Sequence, residues 1–586
     1  MAFMKLPLLF LLIFSVTSLS AQLYITPSTE SDGYIYVKDR LLYVEKEIFL
    51  KENRNKESEA NLYLRKGSQL LQGIKDENLN KGTGKLSVFQ KGTSNAFDYN
   101  YWSLPVKLTG DHLKLSDYLY DPKGPLFSSN ASLTNSTDGK SNPLNISSTW
   151  LYTFSGTNYS NWAYVGDHFD LIPGEGFTMK GVNGINLQEI EGIAVNAGNS
   201  QTYDFRGLPN DGTIELPIKK DQILLVGNPY PSAIDLNKFL KENTFSTGIA
   251  YFWDSRDNGN SHYLSDYEGG YGTYSPGTGI YIPPVFKKYS DGSETGMIGK
   301  HYERQISPIG QGFMIIGKKD GRISFKNSQR IFQKEQENYS MFKTSLSGRS
   351  SLNLIVEIDS SFIQKLALVF DPDSSPEEDH ALDARKMNND PQDISWEISN
   401  ENFVVNVRPK LDQELIPLKI KLSTATQLKF SVSELENFNP DRVFLYDARE
   451  DLYFSIKTGY LSIDLPQGEI KDRFYLSFIE KITEDEKADP ESNRISDEKL
   501  PNILLNSIDI FQNNSQAQLE IKLLYDSGIS SIRLYDLTGK LFLHQKFKST
   551  EKEFYFSTGN LSNAIYIVKV NTTDNIELTK KIGIKN

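Results

Sequence analysis

The chain of 586 residues contains no cysteine. Disulfide staples, thiolate nucleophiles and Cys-zinc sites are therefore excluded, and each domain must be held by core packing or a bound metal. Histidine is scarce as well. The six residues His112, His168, His262, His301, His380 and His544 stand singly, without metal-ligand spacing. Basic charge is in deficit, with 63 Lys plus Arg against 75 Asp plus Glu and a net charge of -12. That balance speaks against nucleic acid as a partner, because such affinity comes chiefly from cations that neutralise phosphates. No His-Glu-x-x-His, Gly-x-Ser-x-Gly, Walker loop or dinucleotide fingerprint occurs, so the expectation is a protein that is not an enzyme. Long apolar runs are missing after the first residues, which leaves no expected transmembrane segment in the mature chain.

What the chain has in abundance is aromatic residues, 31 Tyr and 33 Phe, spread through short β-branched segments. This composition predicts an all-β protein, because such side chains suit a pleated, half-buried surface. At roughly 100–200 residues per domain, the length requires about three to five units. The start, with Lys5, apolar Leu6 to Phe14 and small polar residues up to Ala21, has the order of a secretory signal peptide over 1–21. An N-terminal β domain over 22–120 and a central aromatic-rich β region over 121–340 are expected next. A β-sandwich over 341–479, a charged linker over 480–500 and a small module over 501–586 complete the series.

Strand signals recur at Tyr34–Val37, Leu41–Val44, Asn61–Leu64 and Gly84–Phe89, each bounded by turn-forming residues. Between Asp121 and Ser160 the Ser, Asn, Thr and Gly content predicts turns or a long surface loop without a core. Ser232 and Asp235 have capping-box spacing ahead of Leu236, Phe239 and Leu240, which predicts one short helix. The stretch Glu480 to Lys499 holds eight acidic and four basic residues and almost nothing apolar, hence the linker.

The last stretch reads as seven strands of an Ig-like sandwich, with a hairpin closed by Leu537-Thr-Gly-Lys540. From Ser531 to Asn586 there are nine Lys plus Arg and five Asp plus Glu, so this end is basic while the chain is acidic. Three linked motifs, Ile532-Arg-Leu-Tyr-Asp-Leu-Thr-Gly-Lys-Leu541, Leu561-Ser-Asn-Ala-Ile-Tyr-Ile-Val-Lys-Val570 and Lys580-Lys-Ile582, stand in fixed order. In this order they resemble the C-terminal sorting domain of the type IX secretion system of Bacteroidota. Two positions depart from that pattern: Phe511-Gln-Asn-Asn514 stands where a Tyr-Pro-Asn-Pro turn is common, and Ala564 where Gly is common. The resemblance implies a sorting signal carried by Tyr535, Asp536, Gly539, Lys540, Leu561, Tyr566, Lys580 and Lys581. It further implies periplasmic transit, the type IX machinery as partner, and a destination at the outer-membrane cell surface or outside the cell. Upstream, Gly82–Gln90, Asp98–Trp102 and Gly227–Ser232 are similar to regions of large flavobacterial surface proteins, which implies an adhesin or surface-matrix role.

Three constellations could carry chemistry or binding. Asp254 and Asp257, with His262, Asp266 and Glu268, place carboxylates at a loop mouth, as acid and base work on a glycoside requires. Tyr263, Tyr267, Tyr271, Tyr274 and Tyr281 lie among glycines, where rings can stack on sugars, so surface glycans are candidate partners. A carbohydrate-binding or carbohydrate-active protein using these aromatic loops is thus the alternative to a plain adhesin. Finally, Asp371, Asp373 and Asp379 supply oxygens dense enough for Ca²⁺, the candidate cofactor, although the mid-loop Gly of an EF-hand is missing.

Overall fold

The computed structural model describes residues 22–479 and 508–585, apart from 55–58, 109–112, 167, 185–186, 197–199, 257–259, 335–348, 360–361, 388–391, 411–414, 439, 441, 458, 515, 524–528, 537–539, 548–551 and 573–576. The signal peptide and the linker expected from the sequence lie outside the described residues. The chain divides into two compact units, Met1–Glu480 and Lys481–Asn586. Nearly all regular structure is strand, so the fold is all-β.

The large unit opens on strands that pair in parallel. Leu23–Ile25, Ile48–Leu50 and Lys81–Gly82 form one ladder, and Ile35–Lys38, Leu62–Arg65 and Leu86–Lys91 a second. Leu41–Val44 pairs with Gln69–Gln72 in a third. The chain visits the ladders in turn and comes back one level further on, which makes a short parallel β-solenoid. The first strands of the N-terminal β region are thus stacked as coils. A sandwich needs turns that reverse the chain, whereas here the left-handed residues Asp39 (φ 63°) and Lys66 (φ 52°) bend it to the next face at equivalent corners of successive coils. Ile48, Leu50, Leu62, Leu64, Leu70, Leu86 and Val88 fill the interior. Buried Arg65 is satisfied by the carbonyls of Pro125 and Ser87, at 2.8 and 3.0 Å, and lies 3.6 Å from the centre of the Phe89 ring.

The position expected as a boundary at residues 120 and 121 is crossed by strand pairing. Leu119–Pro122 pairs with Thr202–Pro209, which pairs in turn with the solenoid strand Leu86–Lys91. The polar stretch after Asp121 is also not a coreless loop. It contains the strands Ser128–Asn130, Ser132–Thr134 and Leu144–Ser147, with Leu144, Ile146 and Leu151 buried. Its hydroxyls and indole bond backbone carbonyls instead of water. Ser147 donates to Ser136 at 2.6 Å and Trp150 to Thr137 at 2.8 Å, so a polar sequence closes on itself around a few apolar residues.

The central sheet has eleven strands, and its order places Glu268–Ser275, Ser246–Ser255, Gly312–Gly317, Ile223–Gly227, Tyr152–Gly156, Phe177–Lys180 and Tyr99–Trp102 side by side. Alternate residues point to opposite faces. Leu224, Val226, Ala250, Phe252, Tyr274 and Phe313 pack against Leu236, Phe239 and Leu240 of the helix Leu236–Glu242. That helix sits where the sequence predicts it, but its cap is Asp235, which accepts from the Lys238 amide at 3.0 Å. Ser232 accepts from Arg330 Nε at 3.1 Å instead.

On the other face, Leu225, Ile249, Tyr251 and Met314 share one core with the sheet of residues 350–477. This second sheet also has eleven strands and is curled around Leu352, Leu354, Leu366, Trp396, Phe430 and Phe474. Trp396 is anchored by donating to the Ala367 carbonyl at 2.9 Å.

The terminal unit has seven described strands in sheets of three and four, Ile508–Asn513 through Glu577–Ile584. Ile510, Leu519 and Ile521 from one sheet meet Ile532, Leu534, Val568 and Val570 from the other, forming the small sandwich expected from the alternation.

Candidate functional site: an aromatic cleft in the large unit

Where the two large sheets part, a cavity of about 1280 Å³ opens. Its walls come from strands far apart in sequence. Tyr99 and Tyr101 stand on one strand, Tyr152 and Phe154 on another, Trp253 on a third and Tyr271 on a fourth, with Trp150, Trp162, Tyr267 and Tyr289 in the connections and short elements around them. Most of these rings are half-buried, so part of each face remains available in the space. They also hold one another: Trp253 packs edge-on against Tyr271 and Tyr289 at 5.3 and 5.8 Å, and Tyr101 against Trp162 at 6.2 Å. The Tyr101 and Tyr271 hydroxyls hydrogen-bond at 2.6 Å, and burial holds the Tyr101 phenol well above its usual range. Rings braced in this way are already oriented before any ligand arrives.

At one end of the cleft the ammonium of Lys180 sits in a cage of rings, 3.6 Å from the centre of Trp150 and 4.9 Å from those of Tyr99 and Tyr267. Its Nζ donates to the Tyr267 hydroxyl and lies 3.0 Å from His262 Nδ1. The Tyr267 hydroxyl in turn donates a hydrogen bond to the Phe97 carbonyl at 2.9 Å, and His262 Nε2 bonds Asp138. A ring with Nδ1 accepting and Nε2 donating would satisfy both neighbours of His262. Burial brings the Lys180 amine down to about 7, opposed by the charges of Asp98 and Asp138. Sequence reading singles out His262 and Tyr267, but Lys180 carries no local mark.

The carboxylates proposed for acid and base work do not converge on the cavity. Asp254 accepts from the Lys300 and Ser255 amides at 3.0 Å each, and burial raises its carboxyl. Glu268 pairs with Arg256 at 3.0 Å and Asp266 accepts from Ser261 at 2.6 Å, while Asp257 lies outside the described residues. No Asp or Glu lines the cavity among the described residues.

The tyrosine set divides in the same manner. Tyr267 and Tyr271 line the cleft, Tyr274 and Tyr281 are buried on the opposite face, and Tyr263 is exposed. The supposed aromatic loop is in fact the strand Glu268–Ser275. Its glycines leave room for rings to lie across it: a Cβ at Gly269 would meet the Trp253 ring at 2.6 Å, and one at Gly272 the Tyr281 hydroxyl at 1.9 Å.

In the acidic loop, Asp371 pairs with Arg349 at 2.7 Å and accepts from the Asp373 amide at 3.0 Å. Asp379 accepts from the Ser375 amide at 2.6 Å, and Asp383 from the amides of Asp379 and Val407 at 2.7 and 2.6 Å. These oxygens are engaged by the loop's own amides, by Arg349 and by the Val407 amide, and a cation would have to replace those partners. Among the described residues, no group of three or more His, Asp or Glu side chains is placed to hold a metal.

In the terminal unit, Tyr535 lies at a register shift in the Ile529–Asp536 strand, and Asp536 closes the turn by accepting from the Lys540 amide at 3.0 Å. Tyr566 is buried against Phe542 and donates to the Ser562 carbonyl at 3.2 Å, and Leu561 is partly buried in the same core. Lys580 is exposed opposite Val568, and Lys581 is paired through its backbone with Ile567. Gly539 lies outside the described residues. No helix among the described residues is long and apolar enough to cross a membrane.

Comparison with known proteins gives two family models, end to end. Residues 37–478 match a domain of unknown function, DUF8693, and residues 498–584 match another, DUF8694. A search of curated proteins returns no match. A solved structure titled "Biofilm associated protein - BSP domain" aligns at 8% identity over 85% of this chain and 96% of that one, with a TM-score of 0.15, a level that supports no conclusion about this chain. The first family model runs without a break through the solenoid, the central sheet and the curled sheet, the same span that packs as one unit. The chain belongs to the DUF8693 family.

Proposed function

We propose that the large unit is a carbohydrate-binding adhesin module and that the terminal unit is its type IX sorting domain, delivering it to the cell surface. The observation that carries the binding reading is the cleft of braced, half-buried rings. Sugar rings present C–H faces that stack on aromatic π-faces, and a wall of several such faces holds successive residues of a chain. The described lining offers no carboxylate pair, so binding without hydrolysis is the favoured reading over a glycosidase. The sorting reading is supported by the three ordered motifs, the basic balance of the last residues and their division from the rest as a separate unit.

A glycan array probed with the full chain tests the first part. Trp253→Ala with Trp162→Ala should abolish binding of whichever glycans the wild type retains, and unchanged binding would refute the cleft as the site. For the second part, deleting residues 501–586 should trap the protein in the periplasm. Undiminished surface display would overturn the sorting role.

A further inference from the structure

The first coil of the solenoid is open on its outer side. Leu23–Ile25, Ile35–Lys38 and Leu41–Val44 each stand at the end of their sheet, so one edge of each pairs with no other strand among the described residues. The interior shows the same opening. Leu23, Ile35, Val37 and Leu42 are half-buried, whereas Ile48, Leu62, Leu64 and Leu70 one coil further on are at most 1% exposed. Solenoid ends are ordinarily closed by polar residues, and edge strands are ordinarily defended by charge or proline. Leu41-Leu-Tyr-Val44 carries neither, and Leu41 and Tyr43 are 40% and 55% exposed. The carbonyls of Arg40 and Val44 accept from the amides of Gln69 and Gly73 at 3.4 and 3.2 Å, so the even-numbered residues turn their backbone groups toward the second coil. Those of Leu41 and Tyr43 therefore point the other way, out of the open edge.

We propose that a second copy of the chain occupies this edge, its Leu41–Val44 strand running antiparallel to the first about a two-fold axis at Leu42. Leu41 of each copy then exchanges backbone hydrogen bonds with Tyr43 of the other, and Leu42 faces Leu42. This register covers both exposed side chains of the strand, whereas an axis at Tyr43 would set Leu41 against Glu45. The two corners that flank the strand differ in charge. Before it stand Lys38 and Arg40, with Asp39 neutralised by Lys334, and after it stand Glu45 and Glu47 around Lys46. An antiparallel pair brings the positive corner of each copy to the negative corner of the other, and a parallel pair would set like against like. Within one copy Arg40 already contacts Asp39, and Glu45 accepts from the Tyr43 hydroxyl. Neither contact has to break, because a guanidinium has about five N–H donors and a carboxylate about four acceptor sites. At such exposure ion pairs choose the orientation and add little energy, so the backbone bonds and the covered apolar side chains hold the copies together.

Sedimentation equilibrium of the full chain should show a dimer, and a chain that stays monomeric up to roughly 100 μM would overturn the proposal. Leu41→Lys with Tyr43→Lys places charge at two exposed positions of the edge, so the dimer should dissociate at least tenfold more readily while the urea midpoint keeps its wild-type value. A dimer of unchanged strength would put the contact elsewhere and refute this edge. Arg40→Glu should weaken association, and Arg40→Glu with Glu45→Arg should restore it; equal weakening by both would overturn the antiparallel sense. Because the chain has no cysteine, Leu42→Cys introduces a single thiol. Facing residues of a non-hydrogen-bonded antiparallel pair have Cα atoms about 4.5 Å apart, within reach of a disulfide. Mild oxidation should therefore link two copies of this variant, whereas Tyr263→Cys, at a position 77% exposed and far along the chain from this edge, should stay largely unlinked. Equal linking of the two, or none at position 42, would overturn the register. If the double lysine variant does not fold, the wild-type mass and the two cysteine variants still decide.

Discussion

The two faces of the central sheet are made by the same strands and draw on the same residue types, but they end as different kinds of surface. On one face Phe252, Tyr274, Tyr281 and Phe313 are sealed beneath the helix Leu236–Glu242. On the other, Trp253, Tyr271 and Tyr101 stand beside a space that the curled sheet does not fill. A residue's neighbour in sequence is thus its opposite in role: Phe252 is core and Trp253 is cleft wall. The difference lies in what covers each face. A helix can follow a twisted sheet closely, whereas two twisted sheets packed together diverge away from their line of contact. Aromatic richness alone therefore says little about binding, and position relative to that divergence says much.

The largest expected effect comes from emptying the sealed face. Phe252→Ala removes a ring packed 5.8 Å from Phe313 and 6.5 Å from Tyr281, with Arg304 4.1 Å above it. A loss of about 3–5 kcal/mol is expected from the lost burial and the residual cavity. Urea unfolding should show the shift, and the glycan affinity of the folded fraction should stay at the wild-type value. An equal fall in affinity would mean that the two faces are coupled and the contrast between them is false.

One residue along the strand, the order of effects reverses. Trp253→Ala takes away a half-buried ring that touches Tyr271 and Tyr289, so stability should fall by only about 1–2 kcal/mol. Glycan affinity should drop tenfold or more, because a rigid ring is lost from the contact surface itself. Titration calorimetry beside a thermal melt separates the two quantities. A variant that binds normally but melts much lower would place Trp253 with the core.

The sequence made some of this contrast visible and hid the rest. Alternation within Glu268–Ser275 separates Tyr271 and Thr273 from Tyr274, and a period of two is the physical signal of a strand. It is masked by three glycines, which resemble loop punctuation but here leave space for the rings of neighbouring strands. The solenoid also had a signal in Ile35-Tyr-Val-Lys38 and Leu62-Tyr-Leu-Arg65, which align in register one coil apart. Only two copies are this similar, and they read as independent strands. The terminal sandwich was legible because hairpin pairing joins sequence neighbours. By contrast, Tyr101 meets Tyr271 and Lys180 meets His262 across long separations, and strand order in the sheet decides those meetings. No local pattern encodes that order.

A pH-dependent effect tests the end of the open face, where polar burial replaces apolar burial. In the folded chain the Lys180 amine titrates near 7, whereas in the unfolded chain it returns toward 10.5. Between those values the unfolded state holds a proton that the folded state has released, so stability rises as pH increases through this window. Below pH 7 both states are charged, and the full cost of burying the ammonium is present. The slope from this one group is at most about 1.4 kcal/mol per pH unit. Lys180→Met keeps the volume among Trp150, Tyr99 and Tyr267 and leaves Tyr267 bonded to Phe97 and His262 to Asp138. Subtracting the variant's unfolding free energies from those of the wild type at pH 6.5, 7.5 and 8.5 cancels the other titrating groups to first order. The difference should climb in favour of the wild type with rising pH. A flat difference would mean that the amine stays protonated in its cage, held by the three rings and the charges of Asp98 and Asp138 strongly enough to offset its burial.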